Sequence, residues 1–157
     1  MKLFHLFVFV FWYGMLLYFT FISSPILYFS FPIHEFGIIQ SKLFPSYYFI
    51  NYICGIFLLI TFGWIHPLKQ WNRSSYLKFV LLILMMALAL IQGTWAGPHA
   101  AQILAVLHTA KHLHNQLAVN EASHQFATAH GISSLINLGM IIASSIYFYY
   151  TFRGTEV

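Results

Sequence analysis

Histidine is concentrated in one polar segment of this chain, residues 97–131, which carries six of the nine histidines. Neutral imidazole is the commonest transition-metal ligand, and His108 and His112, four residues apart, share one face of a helix. A third histidine from a neighbouring helix would complete a three-nitrogen site for copper or zinc. Because thiolates and carboxylates are nearly absent nearby, this pattern favours copper or haem iron over structural zinc. The six histidines are His99, His108, His112, His114, His124 and His130.

The elements that would position these histidines are membrane spans. The chain is 60% apolar and 6% charged, whereas soluble domains contain about 25% charged residues. Four stretches are long enough to cross a hydrocarbon core of about 30 Å. The sequence therefore predicts a single integral membrane domain over residues 1–157, an all-α four-helix transmembrane bundle with a protruding His-rich helical hairpin between spans 3 and 4. The predicted spans are residues 3–31, 44–65, 76–95 and 132–152.

The connections between the spans are predicted from turn and cap signals. The connector 32–45 is expected to lie folded on the membrane surface. The hairpin is expected to break near Val119 and Asn120, with Asn120 capping a helix that enters at Glu121. If the break is there, His108 lies opposite His130, and His114 lies opposite His124.

Polar residues inside the spans recur at one depth. With alternating spans, Ser24, Asn51, Gln92 and Asn137 all fall in the half of the bilayer next to the His-rich segment. Polar groups in hydrocarbon normally face the bundle interior, a cavity or one another. This depth predicts a polar pocket whose mouth is formed by His34, Glu35, Lys42, His99 and His130. The alternative is that the amides only join helices, which contributes about 0.6 kcal/mol each.

The charges are distributed as membrane topology predicts, since cations favour the cytoplasmic side of membrane proteins. The net charge of +4 is therefore attributed to span ends, and no nucleic-acid partner is predicted. Both termini are expected on the cytoplasmic or matrix side of an unspecified membrane. The cations on that side are Lys2, Lys69, Arg73, Lys78 and Arg153, and those on the other are Lys42 and Lys111.

Two segments resemble the signature stretches of the transmembrane protein 205-like family. They are HEFGIIQSKLFPSYY, His34–Tyr48, and AHGISSLINLG, Ala129–Gly139. The resemblance implies a compact four-helix membrane bundle and suggests metal handling. It also implies that the family's marked positions here are His34, Gln40, Lys42, His130, Ser134 and Asn137. The predicted pocket then comprises Ser24, Gln40, Lys42, Asn51, Gln92, Ser134 and Asn137.

These observations favour binding over catalysis. The sequence has no paired-carboxylate arrangement, G-x-S-x-G elbow or Gly-rich phosphate loop, so no catalytic residues are predicted. The leading hypothesis is a membrane protein that binds copper or haem at its non-cytoplasmic face for metal handling or transport. The alternatives are an accessory subunit of a larger, respiratory-type membrane complex, or a small-molecule channel that requires oligomerisation. The predicted metal ligands are His34, His99, His108, His112 and His130.

Overall fold

The described chain is built from helices that follow one another with short turns. This computed structural model describes residues 1–67, 69 and 71–153, and at residues 33 and 34 the backbone alone. Two π-helical turns, Phe19–Ser23 and Gln92–Ala96, join α1 to α2 and α4 to α5 without a break in the helical path. The α-helices are α1 Lys2–Tyr18, α2 Ser24–Ser30, α3 Ile33–Ile65, α4 Arg73–Ile91, α5 Gly97–His112 and α6 Gln116–Arg153.

Four of these helical segments are long and apolar enough to cross a membrane, which confirms the predicted number of spans. The protein is therefore a multi-pass integral membrane protein. An even number of spans places the start of span 1 and the end of span 4 at one end of the bundle, which we call the terminal end. The turn between α5 and α6 lies at the other end, which we call the His-rich end. Spans 1 to 4 are Lys2–Ser30, Glu35–Ile65, Arg73–His112 and Gln116–Arg153.

The prediction that the connector 32–45 lies on the membrane surface is wrong, because α3 begins at Ile33. Tertiary packing keeps this stretch helical. The Phe36 side chain is 2% exposed and meets the Tyr28 ring edge-on at 5.6 Å between centroids. A Cβ at Gly37 would lie 2.7 Å from Leu104 Cδ1, so α3 and α5 approach closely here. Pro45 stays inside the helix, as neighbouring helices often permit in membrane bundles.

The predicted helix break at Val119 and Asn120 is also wrong. The chain turns at residues 113–115, where His114 adopts a left-handed φ of 51°. The Asn115 Oδ1 atom then accepts the Ala118 N–H at 3.2 Å, which caps the start of α6. Asn120 lies inside α6. The predicted opposition of His108 to His130 and of His114 to His124 depended on a turn at residues 119 and 120. It does not follow from a turn at residues 113–115.

The polar segment 97–131 is consequently not a separate element. Its first part continues span 3 through the π-helical turn, and its second part is the start of span 4. The two parts pack together through a small apolar cluster that contains Leu104, Leu107 and Ala122, with Val119 and Phe126 against it. This cluster brings residue 107 level with residues 119–122.

The main core lies between the terminal end and mid-bundle. Its largest fully buried side chains come from all four spans, so the spans are held together there by interdigitated aromatic and aliphatic groups. The outward faces remain rich in exposed Phe, Ile and Leu, as expected for helices in contact with lipid. Core residues at or below 1% exposure include Phe9, Trp12, Leu16, Leu58, Phe62, Leu82, Met85, Met140 and Tyr147.

Candidate functional site

The intramembrane amides predicted at one depth all form hydrogen bonds between spans. Asn51 Oδ1 accepts from Trp12 Nε1 of span 1, and Asn51 Nδ2 donates to the Tyr47 carbonyl at 2.8 Å. Tyr47 Oη in turn donates to Asn137 Oδ1 at 2.9 Å, and Asn137 Nδ2 donates to Thr20 Oγ1. These bonds connect spans 1, 2 and 4, so Asn51 and Asn137 act as joints in the bundle.

Two further bonds close the same polar layer. Gln40 Nε2 donates to Ser24 Oγ at 2.9 Å, joining span 2 to span 1. Gln92 Nε2 donates to Ser133 Oγ at 2.5 Å, joining span 3 to span 4. Each of the four predicted depth residues is therefore bonded to another helix, as the helix-joining alternative expects.

Two cavities nevertheless open within this layer, and His130 lines both. The first, of about 380 Å³, lies between spans 2 and 3 and the start of span 4; we call it the Tyr48 cavity. The second, of about 320 Å³, lies mainly between spans 1, 2 and 4; we call it the Asn137 cavity. The Tyr48 cavity is lined by residues that include Gln40, Tyr48, Phe49, Ala101, His130 and Ser133. The Asn137 cavity is lined by residues that include Ser24, Tyr47, Gln92, His130, Ser134 and Asn137.

His130 is held between aromatic rings rather than by charged groups. Its imidazole lies 6.1 Å from the Phe126 ring, nearly parallel, and 6.2 Å from the Phe36 ring, edge-on. The residue is half-buried. Among the residues that the structure describes, no Asp, Glu, Lys or Arg lines either cavity.

Two buried polar atoms beside these cavities lack a hydrogen-bond partner among the described residues: the Tyr48 hydroxyl and Gln92 Oε1. Tyr48 is 7% exposed and Gln92 is 3% exposed. Tyr48 lines the Tyr48 cavity, and Gln92 lines the Asn137 cavity. Buried polar groups are normally paired with protein, water or ligand, so this donor and this acceptor each have hydrogen-bonding capacity that the described residues do not use.

Two glycines make room for the tyrosines of span 2. A Cβ at Gly97 would overlap the Tyr48 ring, and a Cβ at Gly93 would overlap the Tyr52 hydroxyl. The four-residue spacing of Gly93 and Gly97 is the small-xxx-small pattern that lets transmembrane helices approach closely. This spacing is the sequence signal that could have located the Tyr48 cavity, whose tyrosine the sequence analysis did not single out.

The predicted site residues separate into distinct environments. Ser24, Gln92, Ser134 and Asn137 line the Asn137 cavity, and Gln40 lines the Tyr48 cavity. Asn51 is buried among the interhelical bonds and lines neither cavity. Lys42 is exposed and also lines neither.

The predicted metal ligands are spread along the His-rich half. His108 and His112 have ring centroids 4.4 Å apart, and both are exposed. His99 stacks on Trp95 of its own helix at 6.1 Å, while the side chain of His34 lies outside the described residues. Within the described part of the chain, no three His, Cys, Asp or Glu side chains are grouped as metal ligands.

A second polar cluster, at the terminal end, did not emerge from the sequence. His5 Nδ1 lies 2.6 Å from Thr61 Oγ1, and His5 Nε2 lies 2.6 Å from Tyr147 Oη. Because the Thr61 hydroxyl donates to the Phe57 carbonyl at 2.7 Å, its oxygen accepts from Nδ1–H. Nε2 of the neutral ring then accepts from the Tyr147 hydroxyl. A histidine inside a span is itself the signal for such a cluster.

Comparisons with known proteins agree with this architecture. The family model described as Domain of unknown function (DUF4149) matches residues 7–109, more than half of the chain. Transmembrane protein 205 of the zebrafish Danio rerio is 26% identical over 157 residues, covering 87% of this chain and 84% of the zebrafish protein. No solved structure matches. The family resemblance predicted from the sequence is confirmed.

Proposed function

We propose that this chain, which belongs to the DUF4149 family, binds a small ligand in the two cavities that share His130. The observation that carries the proposal is the pair of unpartnered buried atoms, Tyr48 Oη and Gln92 Oε1, beside those cavities. Each cavity has the volume typical of a small-molecule site, roughly 300–1,000 Å³. His130 supplies an imidazole that can accept or donate a hydrogen bond or ligate a metal centre.

We further propose that the cavities lie in the non-cytoplasmic half of the membrane. The clustering of the cations at the terminal end supports a cytoplasmic or matrix location for that end. Span 3 has 40 residues and is therefore about 60 Å long, about twice the hydrocarbon thickness. The last turns of span 3 and the first turns of span 4, beyond the cavities, would accordingly protrude as a His-rich helical hairpin.

A second candidate function is transition-metal or haem binding, with copper as the leading ion. The observation that favours copper is the close approach of the exposed His108 and His112 rings, 4.4 Å between centroids. Such a pair supplies two imidazole nitrogens from one helix, to which a third histidine or solvent could be added. Haem would require an axial imidazole, for which His130 at the cavities is the best-placed residue.

The experiment that tests both candidates is a chemical inventory of the protein purified in mild detergent. Mass spectrometry identifies retained organic molecules, a visible spectrum detects haem, and elemental analysis measures copper, iron and zinc. A stoichiometric ligand that is depleted by His130→Ala but retained by His124→Ala supports the cavity. Stoichiometric copper lost on His108→Ala, with His130→Ala unchanged, supports the metal site instead. Protein that neither retains a stoichiometric ligand nor binds added copper, haemin or lipid overturns both.

The accessory-subunit alternative has its own observation. Leu113 and Leu117, beside the turn at the His-rich end, are 73% and 83% exposed. Large apolar side chains at a protruding tip are typical of a contact with another protein. Native mass spectrometry in mild detergent tests this alternative. Larger subunits that bind the natural chain but dissociate from a Leu113→Ser, Leu117→Ser double variant would establish it. A natural chain that is solitary would count against it.

A further inference from the structure

The charge of the cavity walls restricts what the cavities can bind. Neither is lined by an ionised Asp, Glu, Lys or Arg within the described part of the chain. A bare ion placed there would lose its hydration without a counter-charge, and an unpaired charge in a low-dielectric site is costly. The walls therefore favour an uncharged molecule.

The mouth of the Tyr48 cavity indicates how such a molecule would enter. Phe49 and Ala101 line this cavity and are themselves exposed on the outer surface of spans 2 and 3, Phe49 by 63%. Tyr48, Gln40 and Ser133 lie deeper and are buried. The cavity thus opens sideways, between two membrane helices, toward the acyl chains of the bilayer.

A polar group of the wall restricts the headgroup. Tyr48 lines this cavity, and its hydroxyl has a proton to donate and no hydrogen-bond partner among the described residues. One neutral hydroxyl group of a ligand can satisfy Tyr48 by accepting this hydrogen bond. A carboxylate can also accept it but brings an unpaired charge into the cavity, and a hydrocarbon cannot accept it.

We propose that the ligand of the Tyr48 cavity is an uncharged single-chain amphiphile with a hydroxyl headgroup, which enters from the lipid between spans 2 and 3. This inference rests on the proposed ligand-binding function of the cavities. The headgroup lies against Tyr48, and the chain extends past Phe49 toward the bilayer.

The test compares three probes of equal chain length with protein in detergent micelles: monoolein, oleate and octadecene. We expect monoolein to bind most tightly, because it alone combines a neutral hydroxyl headgroup with the chain. Ala101→Phe should abolish this binding by filling the mouth. Ala105→Phe is the matched control, because Ala105 is exposed one turn further along the same helix and does not line the cavity.

The Tyr48→Phe variant tests the headgroup. Monoolein affinity should fall roughly 2- to 12-fold, the effect of one net hydrogen bond, while Tyr18→Phe on the exposed face of span 1 should have no effect. Thermal stability of the empty Tyr48→Phe protein should be unchanged or higher, because the hydroxyl has no protein partner to lose. A loss of stability with unchanged affinity would show that Tyr48 bonds directly to Gln92, and would overturn the headgroup assignment.

The outcomes separate the inference from the proposed function. If oleate or haemin binds more tightly than monoolein and Ala101→Phe removes that binding, the cavity function holds but the ligand class is wrong. If the Ala101→Phe and Ala105→Phe variants bind every probe with equal affinity, the Tyr48 cavity is not a binding site. Both the proposed function of the cavity and the proposed ligand class are then wrong.

Discussion

Replacing His5 by phenylalanine tests the polar cluster at the terminal end, where one imidazole connects three spans. The His5 ring already lies among the Phe62 and Tyr147 rings, at 6.4 and 6.2 Å, so phenylalanine should fit with little change in packing. The Tyr147 hydroxyl, on a residue that is 1% exposed, would lose its acceptor. Leaving a buried donor unpaired costs about 1–3 kcal/mol.

Two features reduce that cost. Thr61 keeps its bond to the Phe57 carbonyl, so only Tyr147 loses its acceptor. Hydrogen bonds measured between membrane helices also average only about 0.6 kcal/mol, with a maximum of about 1.7, because the unfolded chain finds partners too. We therefore expect the coupling free energy between His5 and Tyr147 to be about 1 kcal/mol.

The assay is reversible unfolding by SDS in mixed micelles, applied to His5→Phe, Tyr147→Phe and the double variant. Any apolar burial gained by phenylalanine occurs in both arms of this double-mutant cycle and cancels. Once His5 is replaced, Tyr147→Phe should cost nothing or even stabilise, since it removes the unpaired hydroxyl. Strictly additive single effects would refute the donor and acceptor assignment made for His5, Thr61 and Tyr147.

Three further substitutions test the packing, the turn and the pH response. Gly97→Ala should lower the unfolding free energy by about 1–3 kcal/mol in the same assay, because the added methyl group meets the Tyr48 ring. Gly14→Ala, where the added Cβ meets open space, should be neutral or stabilise by up to about 1 kcal/mol. Equal effects of Gly97→Ala and Gly14→Ala would contradict the close approach of Gly97 to the Tyr48 ring. Asn115→Ala should lower the unfolding free energy by about 0.5–2 kcal/mol, because the helix cap is lost. Asn120→Ala, inside α6, should lower it little. A larger effect of Asn120→Ala than of Asn115→Ala would favour the turn predicted from the sequence at residues 119 and 120. The pKa of His66, in the turn between spans 2 and 3, is lowered below 6.5 by burial and by the nearby charges of Lys78 and Lys2. The unfolded chain therefore binds the proton first, and stability should be full above pH 6.5 and decrease as the pH falls below it. His66→Asn should flatten that slope of unfolding free energy against pH, and an unchanged slope would exclude His66 as its source.

The number of spans could be predicted because hydrocarbon imposes one strong condition on sequence: backbone polar groups must be satisfied within helices. The helix boundaries could not, because their signals are local and compete. Asn120 followed by Glu121 has the composition of a helix start, but Asn115, after the left-handed His114, caps α6 instead. Pro45 and the motif before it have the composition of a connector, yet the burial of Phe36 draws them into α3.

A residue's position in the sequence predicts its depth in the membrane, but not the direction in which its side chain points. Counting residues from the span ends predicted one layer for Ser24, Gln92 and Asn137, and all three line the Asn137 cavity. Depth does not specify which way a side chain points around its helix axis, since that depends on the rotation set by packing against neighbours. Tyr48 therefore escaped the sequence analysis although it lies at the same level, and Asn51 was assigned to the pocket although it points to Trp12.

The structure also explains how joining helices and binding a ligand can coexist in one polar layer. Asn51 and Asn137 have both their carbonyl and their amino groups bonded within the bundle, so they have little left to offer a ligand. Gln92 uses its amino group to join span 4, and its carbonyl oxygen, beside the Asn137 cavity, has no hydrogen-bond partner among the described residues. One amide thus fixes the helix and presents an acceptor at a defined position. Because the tightly packed core lies toward the terminal end, that acceptor is held on a rigid scaffold, as ligand sites require.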